Sequence, residues 1–292
     1  MITEYIRLIR ISQWAKNAFI FLPLFFGGEI FNSYKFINAI EAFLAFSFLA
    51  SAIYCLNDVL DAENDKKHPQ KKLRPVANGK VTKRSALIIM FFFIVISVVI
   101  QFIFFSSNLY FVIVLSIYFI FNILYSTILK YIPIVDVFIL SMGFIFRILA
   151  GGFATSIIIS HWIIIMTFLL ALFLSFAKRR DDVVIYESTG TVSRKNINKY
   201  NLTFLNQTIS IIATITMVSY IMYTVSPDVI ERFGSDKIYI TAIFVLAGIL
   251  RYLQITIVET KSGNPTEILL KERFIQACIA GWLITFIFIV YY

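Results

Sequence analysis

Residues 85–105 read SALIIMFFFIVISVVIQFIFF, a stretch without a single charged side chain. A helix rises 1.5 Å per residue, so about 20 apolar residues match the roughly 30 Å hydrocarbon core of a bilayer. The run is continuously apolar and does not alternate with polar residues, which argues against a transmembrane β-strand. This stretch therefore predicts a membrane-spanning α-helix.

The rest of the chain has the same character. Of its 292 residues, 59% are hydrophobic and 31 are Phe. Only 15% are charged, against about 25% in an ordinary soluble domain. A soluble protein of this size has too little polar material here to cover its surface. This composition excludes a soluble enzyme, a disordered chain and a disulfide scaffold, and we expect Cys55 and Cys278 to be unpaired, buried thiols.

Comparable apolar runs predict about nine transmembrane helices. No internal repeat and no Pro/Gly/Ser-rich linker divides them, so we predict one all-α polytopic domain over residues 1–292. We expect its helices to surround a central cavity that opens to the cytoplasm and sideways to lipid. The predicted spans are 17–34, 36–56, 85–105, 109–127, 133–154, 161–177, 203–225, 238–257 and 274–292.

The charges indicate an orientation in the membrane. Lys and Arg number 26 against 17 Asp and Glu, a net charge of +9. Nearly all of these cations lie in the N-terminal segment and in every second connection, whereas the opposite connections hold only Lys35, Arg232 and Lys237. This asymmetry predicts a cell (inner or plasma) membrane protein with a cytoplasmic N-terminus and an outer C-terminus. The positive charge is therefore explained by membrane topology and not by binding to nucleic acid. The pattern of residues 1–16 predicts an amphipathic surface helix without a cleavage site.

The first segment with chemical content is residues 57–79, NDVLDAENDKKHPQKKLRPVANG. Asp58, Asp61 and Asp65 share one face of a helix that continues from the second span. Clustered carboxylates repel one another, and a Mg²⁺ ion would offset this because it binds carboxylate oxygens, water and substrate phosphates. Asn57 adds a further polar group. The alternative is a solvated acidic helix end without metal.

A basic loop follows these carboxylates directly. It contains His68, Lys71 and Arg74, interleaved with Pro69 and Pro75. Carboxylates that hold a metal, next to cations that neutralise the remaining phosphate oxygens, suit a metal–diphosphate complex. The alternative is an ordinary positively charged cytoplasmic loop. The two cytoplasmic loops 57–84 and 178–202 are the predicted catalytic loops.

The motif NDxxDxxxD at the end of the second of nine helices resembles the UbiA-type intramembrane prenyltransferase superfamily. Other segments are similar to its decaprenyl-phosphate phosphoribosyltransferase branch. These segments are HPxKxxRP (68–75), QWxKN (13–17), YSxxLK (125–130), GFxxR ending at Arg147, KRR (178–180) and PTE (265–267). The resemblance implies a Mg²⁺-dependent transfer of phosphoribosyl from 5-phosphoribosyl diphosphate (PRPP) to a polyprenyl phosphate, releasing pyrophosphate, in cell-envelope biosynthesis.

The resemblance, together with the charge pattern, also assigns roles to residues. Metal binding falls to Asp58, Asp61 and Asp65, and catalysis to Asp58, Asp61 and Arg147. The residues expected to bind substrate are Lys16, Asn17, Asn57, His68, Lys71, Arg74, Tyr125, Lys130, Lys178, Arg179 and Arg180.

Arg147 lies well inside the predicted span 133–154, where a charge is costly and commonly functional. We expect it to face the cavity and bind a phosphate, in which case Arg147→Met would not lower the melting temperature. The alternative is a buried structural pair. For Arg251, near the end of span 238–257, we expect a side chain that extends to the membrane surface.

The start of the loop after the sixth span favours a lipid monophosphate as acceptor. Three cations, Lys178, Arg179 and Arg180, suit an anion bound without its own metal. Asp181 and Asp182 point about 100° apart on a helix and make a poor joint metal clamp. A second metal at Asp182 and Glu187 stays open.

Two other functions remain as alternatives. One is an aromatic or quinone prenyltransferase that uses a polyprenyl diphosphate at the same carboxylates. The other, a transporter of an anionic substrate, is disfavoured because neither inverted repeats nor broken mid-membrane helices are visible. The polyprenyl length is left open, and a homo-oligomer is compatible with this interpretation.

Overall fold

A computed structural model describes residues 2–66, 71–190, 196–260, 268 and 271–291. In these ranges the chain forms α- and 3₁₀-helices and no β-strand, which confirms the all-α prediction. Contacts within the chain define two compact units, Met1–Ser160 and His161–Tyr292. The single domain and the central cavity stay predictions.

The described residues of unit 1 form six α-helices. These are α1 (Ile2–Ile9), α2 (Leu22–Phe26), α3 (Ser33–Asp65), α4 (Lys83–Phe105), α5 (Leu109–Thr127) and α6 (Val135–Thr155). Three 3₁₀-helices connect them, at Ile11–Phe21, Lys71–Leu73 and Leu129–Tyr131. The amide side chains of Asn32 and Asn108 and the hydroxyl of Thr82 cap the first turns of α3, α5 and α4.

Five α-helices with defined bounds lie within the described residues of unit 2. These are α7 (His161–Thr189), α8 (Leu202–Thr224), α9 (Pro227–Phe233), α10 (Ala242–Ile257) and α11 (Arg273–Tyr291). Two 3₁₀-helices precede α8 and α10, at Ile197–Lys199 and Lys237–Thr241. The Tyr220 hydroxyl in α8 ties these elements together, because it lies 2.7 Å from Thr241 Oγ1 and accepts a hydrogen bond from Trp282 of α11 at 2.5 Å.

The described residues contain eight helices that are long and apolar enough to cross a membrane, and Cys55 and Cys278 are buried and unpaired as predicted. The predicted run 17–34 is not one of the eight. It is divided between the 3₁₀-helix Ile11–Phe21, α2 and a turn at Gly28, whose φ is 72°. A 3₁₀-helix rises about 2.0 Å per residue, so it and α2 together reach about 30 Å, close to a bilayer core. The multi-pass prediction is confirmed, whereas the count of nine is not.

The N-terminal segment is attached to α3 by polar contacts along one face. Helix α1 buries Leu8 and exposes Ile6 and Arg7, and the amphipathic surface helix over residues 1–16 stays a prediction. Trp14 Nε1 donates to Ser51 Oγ at 2.9 Å, and the Ser51 hydroxyl donates to the Ile9 carbonyl at 2.9 Å. Asn17 Nδ2 donates to Ser47 Oγ at 2.9 Å, one turn earlier on α3. Because these groups are buried or half-buried, the contacts fix the segment's register on α3.

Arg147 of α6 lies inside unit 1 and is only 5% exposed. Its Nε donates to Asn17 Oδ1 at 2.8 Å, and its Nη1 donates to the Gly143 carbonyl at 2.7 Å. The rings of Phe46, Phe144 and Tyr118 surround the guanidinium at 5.1, 5.2 and 5.6 Å. No carboxylate among the described residues lies within 4.0 Å of it. The geometry gives Arg147 protein partners and does not support the expectation that it faces an open cavity.

Gly151 allows the 3₁₀-helix Ile11–Phe21 to contact α6 backbone to backbone. A Cβ atom at this position would lie 2.0 Å from the Ile20 carbonyl oxygen. Backbone cannot yield as a flexible side chain can, so any larger residue must push the two elements apart. This contact explains why a glycine lies in the middle of α6 despite its low helix propensity.

We expect Gly151→Ala to lower the stability of the protein by about 1–3 kcal/mol, because overpacking a fixed contact costs that much. Thermal unfolding in detergent measures the change. Gly248→Ala is the matched control, since its Cβ would meet only Cys278 Cβ at 3.8 Å and alanine favours a helix. Equal melting temperatures for the two variants would contradict the close contact.

We expect Arg147→Met and Asn17→Ala each to lower stability by about 1–3 kcal/mol, because each leaves a buried polar partner unsatisfied. The double variant should lose less than the sum of the single losses, since it removes both partners. Thermal unfolding of the four proteins measures the coupling. An unchanged melting temperature for Arg147→Met would instead support the role in substrate binding that the sequence suggested.

Candidate active site

The three predicted metal ligands lie at the C-terminal end of α3. Asp58 and Asp65 are buried, 1% and 4% exposed, and the Asp61 side chain is 27% exposed. Each carboxylate has its own cation, and each cation comes from a different segment of unit 1. Such pairing is required, because an uncompensated charge is costly to bury.

Arg10 holds the first carboxylate. It lies at the junction between α1 and the following 3₁₀-helix, and its Nη2 is 2.5 Å from Asp58 Oδ1. The guanidinium also lies over the Tyr54 ring, 4.9 Å from its centroid. Arg74 Nη1 is a second, more distant neighbour of the same oxygen at 3.8 Å.

The chain after α5 holds the second carboxylate. Lys130 Nζ donates to Asp61 Oδ1 at 2.6 Å, and the Ser126 hydroxyl donates to Asn57 Oδ1. Ser126 and Lys130 are four residues apart, as are Asn57 and Asp61. The Ser and Lys of the YSxxLK motif therefore contact two polar side chains that lie on the same face of α3. Tyr125, beside Ser126, is half-buried.

The loop after α3 holds the third carboxylate. Arg74 Nη1 donates to Asp65 Oδ2 at 2.6 Å, and Lys71 also interacts with Asp65 through its charge. The same loop returns to α1, where Lys80 Nζ donates to Glu4 at 2.9 Å and holds the pKa of that carboxyl below its usual value. His68 lies outside the described residues, as does the PTE motif at 265–267.

The carboxylates suit a metal in chemistry but are not gathered around a vacant centre. Within the described ranges, no group of three or more His, Cys, Asp or Glu side chains forms a ready metal site. Asp58 Oδ2 is nevertheless buried and has no hydrogen-bond partner in the described part of the chain. A hard oxygen donor of this kind is what Mg²⁺ binds, so the residues fit the ion. The paired cations must move away from the carboxylates before all three carboxylates can bind one metal ion.

Asn17 and Arg147 do not join this acidic end. Asn17 binds Ser47, which precedes Asp58 by about 16 Å along α3 at 1.5 Å per residue. Lys16 is half-buried beside Asn17. The structure thus brings Asn57, Asp58, Asp61, Asp65, Lys71, Arg74 and Lys130 together and leaves the Asn17–Arg147 pair in the interior of unit 1.

The basic motif of unit 2 lies within the continuous helix α7. Arg180 donates through Nε to Asn206 Oδ1 at 2.7 Å and through its two terminal nitrogens to the carbonyls of Thr256 and Ile257 at 2.6 and 3.2 Å. These carbonyls end α10, where a cation is favourable. Arg180 therefore caps a helix, a role that the interpretation of KRR as an anion site did not include.

The neighbours of Arg180 differ in exposure. Arg179 is 1% exposed and pairs with Asp182 at 3.1 Å, whereas Lys178 is exposed. Asp181 is half-buried and Glu187 is exposed on the same helix.

Arg251 does not simply extend to the membrane surface as expected. It pairs with Glu272 at 2.9 Å and with Glu259 at 2.7 Å.

Sequence reasoning missed two residues of the site. Arg10 was counted only as a topological charge, because nothing local connects it to Asp58, 48 residues later. Ser126 was seen in its motif but given no role. Its spacing of four from Lys130, equal to that between Asn57 and Asp61, is the signal that could have identified it.

Known proteins support the family that these motifs suggest. The model of the UbiA prenyltransferase family matches residues 20–267. The chain is 30% identical to the decaprenyl-phosphate phosphoribosyltransferase of Corynebacterium glutamicum, over 98% of this chain and 86% of that protein. It is 31% identical to the protein of the same name from Mycolicibacterium smegmatis, over 97% of this chain and 91% of that protein.

A solved structure has the same fold. The UbiA homolog from Archaeoglobus fulgidus bound to GPP and Mg²⁺ matches with a TM-score of 0.69 at 18% identity, covering 95% of this chain and 98% of that one. The family match covers most of the chain, and the eight apolar helices agree with it. The protein is thus a multi-pass membrane transferase, and it belongs to the UbiA prenyltransferase family.

Proposed function

We propose that this transferase moves the 5-phosphoribosyl group of PRPP onto a polyprenyl phosphate and releases pyrophosphate. The observation that carries the proposal is the likeness, at about 30% identity over nearly the whole chain, to relatives named decaprenyl-phosphate phosphoribosyltransferase. The acidic end of α3 supports it, because three carboxylates alternate there with Arg10, Arg74 and Lys130. A diphosphate with a divalent cation needs both kinds of group.

In this proposal Asp58, Asp61 and Asp65 would hold Mg²⁺, which would supply positive charge to neutralise the pyrophosphate. The three cations take the phosphate oxygens that the metal does not reach. The side chains of Arg10, Arg74 and Lys130 are 24%, 27% and 13% exposed, so a ligand can reach them without unfolding the site. Their charges favour the state in which negative charge collects on the leaving group.

The reaction needs no strong base. An oxygen of the lipid phosphate forms a bond to C1 of the ribose, and the bond from C1 to the pyrophosphate oxygen breaks with its electron pair leaving on pyrophosphate. A phosphate monoester is largely ionised near neutral pH, so no proton has to be removed. Within the basic motif of unit 2, Lys178 is exposed on α7, and we propose it as an anion-binding residue.

PRPP is a water-soluble anion, so the acidic end of α3 should face the compartment that contains it. The excess of Lys and Arg in the connections on that side favours the cytoplasm. We therefore propose an inner or plasma membrane location with a cytoplasmic N-terminus and an outer C-terminus.

We expect Asp58→Asn and Asp61→Asn each to reduce phosphoribosyl transfer by about a hundredfold or more, because charge stabilisation of the leaving group is lost. Transfer of label from radioactive PRPP to lipid by purified protein measures the effect. Glu63→Gln is the matched control, since this side chain of the same helix is 67% exposed and pairs with the surface residues Lys66 and Lys83. Full activity in a folded Asp58/Asp61 double variant would show that the acidic face is only a solvated helix end without a catalytic role.

We expect membranes containing the protein to move label from radioactive PRPP into a lipid extract when polyprenyl phosphate and Mg²⁺ are supplied. The parallel incubation contains a polyprenyl diphosphate and an aromatic acid acceptor. Prenyl transfer to the aromatic acid without phosphoribosyl transfer would overturn the proposal in favour of aromatic prenylation. The Asp61→Asn protein serves as the blank in both incubations.

A further inference from the structure

The backbone at Arg10 has an unusual conformation. Its φ is 52° and its ψ is 52°, in the left-handed region that residues with a Cβ atom rarely adopt. Glycine is the usual residue at such a position, because it has no Cβ atom. A left-handed residue turns the chain sharply where α1 ends, and the turn directs this guanidinium to α3.

The Arg10 guanidinium contacts the Asp58 carboxylate, in which one of the two oxygens has cationic neighbours. Arg10 and Arg74 both approach Asp58 Oδ1, at 2.5 and 3.8 Å. Oδ2 is buried and has no hydrogen-bond partner among the described residues. Asp58 therefore keeps one oxygen for a ligand, while two positive charges beside it oppose the approach of a divalent cation.

The Arg10 side chain also has room to change partner. It is 24% exposed, whereas the Asp58 side chain is 1% exposed. The Tyr54 ring, 4.9 Å away, supports the guanidinium on one face without a directional bond. A phosphate oxygen is a charge-assisted acceptor comparable to the carboxylate, so an arriving diphosphate can compete for Arg10.

We propose that Arg10 is a positioning residue that makes metal binding at Asp58 depend on diphosphate. Without the anion, Arg10 neutralises Asp58 and keeps divalent cations weakly bound. When the anion arrives, Arg10 turns to its phosphate oxygens and Asp58 is released to the metal. The coupling is reciprocal, so bound metal must strengthen diphosphate binding by the same factor.

This inference rests on the proposed function only in requiring a diphosphate at the acidic end of α3. The test uses Mn²⁺, an octahedral oxygen-binding cation visible by electron paramagnetic resonance, and the full-length protein in detergent. Mn²⁺ affinity is measured first without any anion. We expect Arg10→Gln to bind Mn²⁺ at least tenfold more tightly than the wild type, because one opposing charge is gone. A variant that merely damaged the site would bind the ion more weakly.

Two further variants separate the effect of the Arg10 charge from the effect of its left-handed backbone conformation. Arg10→Gly keeps the left-handed turn and removes the charge, so it should bind Mn²⁺ as tightly as Arg10→Gln does. Arg10→Lys keeps the charge and should stay within about threefold of the wild type, a difference of about 0.65 kcal/mol. Arg7→Gln, one turn earlier on α1 and 54% exposed, is the control for net charge and should change nothing.

Binding of radioactive inorganic pyrophosphate without metal completes the test. Arg10→Gln and Arg10→Gly should bind it at least tenfold more weakly than the wild type. Unchanged Mn²⁺ and pyrophosphate affinities in both variants would overturn the proposal. PRPP takes no part in these measurements, so a failed phosphoribosyl assay with tighter Mn²⁺ binding would reject the substrate and leave the role of Arg10 standing.

Discussion

Three carboxylates within two turns at the end of a membrane-spanning helix must be compensated where they lie. A buried charge without a partner costs several kcal/mol, so the fold has to bring a cation to each. Arg10, Lys130 and Arg74 meet this need from the end of α1, the turn after α5 and the loop after α3. The positions of these three segments in unit 1 follow from that requirement, as does the docking of the N-terminal segment along Ser47 and Ser51.

Features that depend on neighbouring residues were predictable from the sequence. The apolar run 85–105 became α4, and the spacing of Asp58, Asp61 and Asp65 placed them on one face because helical periodicity is local. The division of the run 17–34 between a 3₁₀-helix, α2 and a turn could not be predicted, because hydropathy does not distinguish an α-helix from a 3₁₀-helix. The counter-ion of Asp58 could not be found, since no periodicity relates Arg10 to a residue 48 positions later.

Buried arginines in this chain show how one residue type serves different ends. Arg147 rests on an amide, a carbonyl and three aromatic rings, whereas Arg180 caps the end of α10. Both spread a delocalised charge over neutral acceptors, which the planar guanidinium does better than a lysine. A charge inside an apolar run therefore indicates a polar network, but its position alone does not distinguish substrate binding from a structural contact.

The contacts between α3 and the end of α5 repeat along the helix. Asn57, Asp61 and Asp65 recur every four residues, as do Ser126 and Lys130, so a slide by four residues, about 6 Å along the helix, would face Ser126 with Asp61 and Lys130 with Asp65. The shifted pairs are chemically acceptable. These contacts alone would therefore allow two registers of the end of α5 on α3. Arg74 decides between them, because it already occupies Asp65 and would repel the lysine there. The loop arginine thus acts as a stop that keeps two parallel polar rows from slipping by a turn.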